Sequence, residues 1–171
     1  MLFGHERLSR GTYSCILTRH SHHGKFAVAE TKAREKPLIL VVDDDNLHRK
    51  AARDVLANAE FMTEEAVDGE EALMAIERHR PDLVLLDLMM PKLNGFGVCA
   101  KLRRNPLFKH LPVLVISAYD TQQTIDRAYD VGANDFIAKP VSWMMLVDNI
   151  RHALRTSQRE GALRAKAASP A

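Results

Sequence analysis

The sequence predicts an α/β domain built as a doubly wound, five-stranded parallel sheet with helices on both faces. Three observations predict it. Five short aliphatic runs recur between residues 38 and 138, each too short for a helix and most of them apolar at nearly every position, as strands buried on both faces are. Segments of helical spacing separate these runs, and a right-handed crossover between parallel strands lays each helix on one face of the sheet. A chain of 171 residues with 46% hydrophobic side chains is also long enough to bury one sizeable core and still leave tails.

The first strand is Leu38-Ile-Leu-Val-Val42, introduced by Pro37 and ended by Asp43. Asn46 to Ala59 recurs at helical spacing, with Leu47, Ala51, Val55 and Ala59 on the predicted inward face and Asp45 or Asn46 placed to cap the start. Met62 to Val67 reads as a second, more polar strand, and Gly69 to His79 as a second helix with Ala72, Leu73 and Ile76 inward. Pro81-Asp82 leads into a third strand, Leu83-Val-Leu-Leu86, which ends at Asp87. A loop from Met89 to Gly95 precedes a third helix over Phe96 to Arg104. Pro112 opens the fourth strand, Val113-Leu-Val-Ile116, closed by Ser117. Thr121 to Val131 is the fourth helix, and Gly132 suits a left-handed cap at its end. Asp135-Phe-Ile-Ala138 is the fifth strand, and Ser142 begins a last helix that reaches at least Leu154.

The near-neutral total of +2 hides a partition: residues 1–36 carry +4, residues 37–150 carry −6, and residues 151–171 carry +4. The first 36 residues show neither strand nor helix period and predict a basic, mostly disordered extension; the body spans 37–152, and 153–171 form a basic tail, helical or disordered, with Gly161 and Pro170 as breakers. The extension also holds His5, and its His20-Ser-His22-His23 group, which could ligate a metal, has no acidic or thiol partner nearby and reads as a solvated loop. With Cys15 and Cys99 the only cysteines, a disulfide framework or a thiolate zinc site is excluded. Neither a bilayer-spanning run nor a secretory apolar segment is present, so a cytoplasmic setting is expected and a membrane partner is not. Walker-type and GxGxxG runs are absent, and without a helix-turn-helix or aromatic-basic module nucleic acid is not an expected partner of an acidic body.

In a parallel sheet every strand's C-terminal end lies at the same edge. That edge collects Asp43-Asp44-Asp45, Asp87, Ser117 and Lys139, each at the end of a different apolar run except the first three. Clustered carboxylates repel one another and invite a divalent cation, and an all-oxygen donor set suits Mg²⁺ rather than zinc. Such a cation and Lys139 together offset the charge of an incoming phosphoryl group, and a carboxylate can itself be the nucleophile. Asp87, single and central, is the best candidate.

These runs, with Asp82-Leu-Val-Leu-Leu-Asp87-Leu-Met-Met-Pro91, Asn94-Gly95, Pro112 through Ser117-Ala118, and Asp135-Phe136-Ile-Ala-Lys139-Pro140, resemble the receiver domain of two-component response regulators. The resemblance covers about residues 37–152. It implies a flavodoxin-like strand order of 2-1-3-4-5 and a phosphoacceptor, Asp87, charged by the phosphohistidine of a sensor kinase or phosphotransfer protein. It implies Mg²⁺ on Asp44 and Asp87, with the Met89 carbonyl and with Asp43 through water. Ser117 and Lys139 would hold phosphoryl oxygens, Phe136 would be the aromatic that turns inward with Ser117, and the Lys139–Pro140 peptide would be cis. The chain would catalyse only its own phosphoryl transfer and slow autodephosphorylation, and would switch the binding of a downstream protein.

Met89 and Tyr119 flank the path that a hydrolytic water takes in that family; both are bulky, which predicts a long-lived phosphoryl group. Trp143, Met144 and Met145 make the usual pairing face of fourth helix, fifth strand and last helix unusually apolar, so a homodimer is a further expectation. Lys139 to Trp143 and the basic tail also faintly resemble receivers that precede cyclic-dinucleotide output domains, which leaves open a lone receiver or a truncated regulator. The rival reading is a phosphatase with an aspartyl intermediate, whose Asp-x-Asp-x-Thr-like signature meets Leu47 at the hydroxyl position here.

Overall fold

The computed structural model describes residues 15–17, 28–30 and 34–168. The chain divides into two units, Met1–Glu35 and Lys36–Ala171. In the first, β1 (Cys15–Leu17) and β2 (Val28–Glu30) pair antiparallel with Ile16 opposite Ala29. Strands of three residues carry too little alternation for the sequence to announce them. The disorder expected in the rest of this extension, and its histidines, lie outside the described residues.

The second unit alternates β3 (Leu38–Val42), α1 (Asn46–Asn58), β4 (Met62–Ala66), α2 (Gly69–His79), β5 (Leu83–Asp87), α3 (Gly95–Arg104), β6 (Val113–Ser117), α4 (Gln122–Asp130), β7 (Asp135–Ala138) and α5 (Trp143–Ala168). Its five strands are parallel in the order β4-β3-β5-β6-β7, which is 2-1-3-4-5 counted within the unit. Every position of β3, β5 and β6 is buried, as the continuous aliphatic runs require, while the edge strands β4 and β7 are only partly covered.

Successive strand residues point to opposite faces, so the sheet divides its aliphatic side chains between two cores. Leu40, Val42 and Leu86 pack with Ile76 of α2 and Leu102 of α3. Ile39, Val41 and Leu85 pack with Leu56 of α1 and Ile150 of α5. Each fully buried Leu or Ile contributes about 1.5–3 kcal/mol by leaving water. A smaller cluster of Leu88, Phe96, Val115 and Ala128 lies beside α4, with half-buried Phe136 against it.

Two details of the helices differ from the sequence-based expectation. In α1 the buried face is Arg49, Ala52 and Leu56, and Leu47 is 73% exposed. Both sets recur at helical spacing, and the contacts of Arg49 go with the second. Asp45 accepts from the Leu47 N–H at 2.7 Å and caps the helix, and Arg49, one turn in, lies under the β3 terminus. There Arg49 donates to the carbonyls of Asp43 and Asp44 and pairs with Glu65. In α5 the helix runs on through Gly161 to Ala168, with Leu154 its last buried residue. A mid-helix glycine costs about 1 kcal/mol against alanine, too little to end a helix flanked by Ala, Leu and Arg. Gly132 behaves as expected, at φ +99° just past α4. Among the described residues no helix is long and apolar enough to cross a membrane.

Candidate functional site at the C-terminal edge of the sheet

The sheet register brings the predicted residues together. Val42 pairs with Leu86, Asp87 with Ile116, and Ser117 with Ala138, so Asp43 and Asp87 emerge at one level with Ser117 and Lys139 just beyond. Asp43, Asp87 and Ser117 are buried, and Lys139 is largely so. The Lys139 ammonium donates to Asp43 Oδ2 at 2.8 Å and lies 3.2 Å from Asp87 Oδ1. Its backbone N–H reaches the Ser117 carbonyl, and the Lys139–Pro140 peptide is cis.

Each carboxylate is also held by a turn of its own loop: Asp43 Oδ1 accepts from the Asp45 N–H, and Asp87 Oδ2 accepts from the Met89 N–H, both at 2.9 Å. Ser117 Oγ accepts from the Tyr119 N–H at 3.1 Å. The loop after β5 is pinned from outside, because Lys92 pairs with the buried Asp68 cap of α2 and the Gly69 N–H donates to the Leu93 carbonyl. A cleft of about 210 Å³ opens beside Asp43, Asp87 and Lys139, walled by Val41, Ala52, Ile116 and Trp143.

Two buried carboxylates share one ammonium, which leaves the pocket negative. Burial raises the Asp87 pKa above the usual carboxylate value and the charge of Asp43 adds to it, against the opposing pull of Lys139. Burial also works against the Lys139 charge, but its bond to Asp43 and the charge of Asp87 outweigh that and hold the ammonium above its usual pKa. Among the described residues no three His, Cys, Asp or Glu side chains form a ready-made metal cage. Mg²⁺ keeps several waters and takes only one or two carboxylates, which Asp43 and Asp87 can supply. An all-oxygen donor set with excess negative charge fits such a cation.

Not every predicted residue is drawn into the pocket. Asp44 is exposed, as are Met89 (52%) and Tyr119, which stand at the rim; Phe136 lies away from the carboxylates against the α4 cluster. The structure adds a neighbour that sequence reasoning did not single out. Nδ1 of His48, in the first turn of α1, is 3.2 Å from Lys139 Nζ and 3.4 Å from Asp43 Oδ2. Its one signal in the sequence is its place three residues after the capping Asp45.

The Response regulator receiver domain family matches residues 39–151. The chain belongs to that family. Receiver domains interact with histidine kinases or phosphotransfer proteins and typically use Mg²⁺ at the phosphorylation site. Response regulator MprA of Mycobacterium sp. (strain KMS) is 43% identical over 124 residues, 72% of this chain and 53% of that protein. Response regulator PleD of Caulobacter vibrioides is 38% identical over 117 residues, 68% of this chain and 26% of that protein. The receiver thus spans from a quarter to a half of these curated relatives. Among solved structures, a CheY-like receiver domain protein from Methanospirillum hungatei matches with a TM-score of 0.69 at 25% identity, covering 74% of this chain and 99% of that one. A receiver domain of a Francisella response regulator matches at 0.67 with 28% identity, covering 71% and 99%.

Proposed function

We propose that this receiver takes a phosphoryl group from the phosphohistidine of a sensor kinase or phosphotransfer protein onto Asp87, and that the resulting acyl phosphate switches the binding of a downstream protein. The observation that supports this most directly is a buried carboxylate at a central strand end, 3.2 Å from the ammonium of Lys139 and flanked by Asp43. In the transfer a carboxylate oxygen of Asp87 attacks phosphorus, the P–N bond to the donor imidazole breaks, and the electron pair leaves with that imidazole. Asp43, Asp44, Asp87 and the Met89 carbonyl would hold Mg²⁺, which supplies positive charge against the phosphoryl oxygens. Lys139 pairs with one of those oxygens, and Ser117 donates its hydroxyl hydrogen to another. Phe136 packs beside α4, so an inward step of Ser117 alters what its ring covers, and only this difference between the two states moves the equilibrium.

Labelled acetyl phosphate with Mg²⁺ tests the reading. Wild type incorporates label, Asp87→Asn does not, and EDTA abolishes uptake; equal incorporation in Asp87→Asn would falsify the assignment. Exposed Met144 and Met145 at the start of α5 support pairing of two copies through the α4–β7–α5 face on phosphorylation. A monomer by sedimentation both with and without beryllofluoride removes that part.

A further inference from the structure

A lysine ammonium has three hydrogens and no acceptor. In the resting pocket Lys139 has three polar partners to match: Asp43 Oδ2 at 2.8 Å, Asp87 Oδ1 at 3.2 Å and His48 Nδ1 at 3.2 Å. We propose that His48 is a positioning residue that holds the Lys139 ammonium over the Asp43–Asp87 pair by accepting its third hydrogen at Nδ1. The inference rests on Asp87 as the phosphoacceptor.

The contact distances favour Nδ1 as an acceptor from Lys139. Were Nδ1 a donor, its carboxylate partners would be Asp43 Oδ2 at 3.4 Å and Asp45 Oδ2 at 3.7 Å, and it would face the ammonium hydrogens at a shorter 3.2 Å. With the ring proton on Nε2, the shortest contact becomes a hydrogen bond and the clash of donors disappears.

The other two partners of Lys139 change during the reaction. A cation on Asp43 competes for its oxygen, and phosphorylation turns the Asp87 carboxylate into an acyl phosphate, whose phosphoryl oxygens replace the carboxylate oxygen as the partner of Lys139. His48 is the one partner that neither event consumes. Its backbone is fixed from both sides in sequence, by the Asp45 cap and by Arg49 anchored to the Asp43 and Asp44 carbonyls. His48 itself lines the cleft beside Lys139, Pro140 and Trp143.

Three variants of the full chain test this with acetyl phosphate at saturating Mg²⁺. His48→Ala and His48→Leu, which lack an acceptor, take up phosphate about fivefold more slowly, the equivalent of one hydrogen bond in the transition state. His48→Asn, whose side-chain oxygen can stand in for Nδ1, recovers to within about twofold of wild type. Magnesium affinity by titration stays within about twofold in all three, a separation that a merely structural defect does not produce. In wild type the ¹⁵N resonance of His48 Nδ1 lies in the unprotonated range and moves in Lys139→Met. Wild-type rates in both His48→Ala and His48→Leu overturn the proposal, as does a His48→Asn rate as slow as theirs or an Nδ1 resonance indifferent to Lys139. Label on Asp87→Asn instead removes the phosphoacceptor reading, and the His48–Lys139 contact then stands or falls on the resonance alone.

Discussion

Gly95 gives the sharpest test of how closely the acceptor is positioned. It opens α3 directly behind the loop that follows Asp87, and its N–H donates to the Leu88 carbonyl at 3.0 Å. A methyl group at Gly95 would lie 2.4 Å from the Asp87 carbonyl oxygen and 2.9 Å from the Leu88 Cα, both backbone atoms with no rotamer to yield. Raising the first contact even to 3.0 Å needs about 0.6 Å of movement, at the end of β5 or at the start of α3. Because a misplacement of about 1 Å can cost a hundredfold in rate, Gly95→Ala is expected to slow phosphate uptake about tenfold. Overpacking should also lower stability by about 1–3 kcal/mol. The assay is single-turnover incorporation from labelled acetyl phosphate at saturating Mg²⁺, with a urea melt run on the same samples. A variant that stays folded and phosphorylates within about twofold of wild type refutes the argument that backbone contact at Gly95 sets the acceptor's place.

The raised pKa of Asp87 has a consequence for stability. The fold favours the protonated form, so this contribution is fully present below about pH 4 and is lost as pH rises through the folded value. In EDTA, urea melts should therefore find Asp87→Asn more stable than wild type at pH 7, with the gap closing toward pH 4; no gap at pH 7 contradicts it. At the rim, Met89 cannot orient a water as an amide can, so wild type should keep its phosphoryl group well beyond seconds and Met89→Asn should shorten the lifetime about tenfold. Release of phosphate within seconds by wild type alone is the opposing result. Burial pushes the Cys99 thiol up to about 11, leaving roughly one part in a thousand as thiolate at pH 8. An aromatic disulfide reagent should accordingly label Cys99 slowly in the native protein and at once in urea; equal rates would place the thiol in solvent.

The strands of the body were legible because each is a run of aliphatic residues closed by a polar one, and that alternation with helical segments leaves few topologies open. The site followed from the same pattern, since strand ends in a parallel sheet share an edge whatever the distance between them in sequence. The helices were less legible. In α1 the stripe of Leu47, Ala51 and Val55 steps by four and four, and Arg49, Ala52 and Leu56 by three and four; both are helical spacings, and an arginine on the buried face gives no hydrophobic signal, so only the fold shows its guanidinium bonded to the Asp43 carbonyl. Composition and order along the chain thus determined which side chains form the sheet and which polar groups meet at its edge. Tertiary structure alone decided that His48 faces Lys139, that Lys92 ties the acceptor loop to α2, and that Phe136 rests beside α4. The physical reason is that hydrophobic burial depends on area and leaves a periodic record, whereas a hydrogen bond depends on distance and angle between groups that only the finished fold brings within reach.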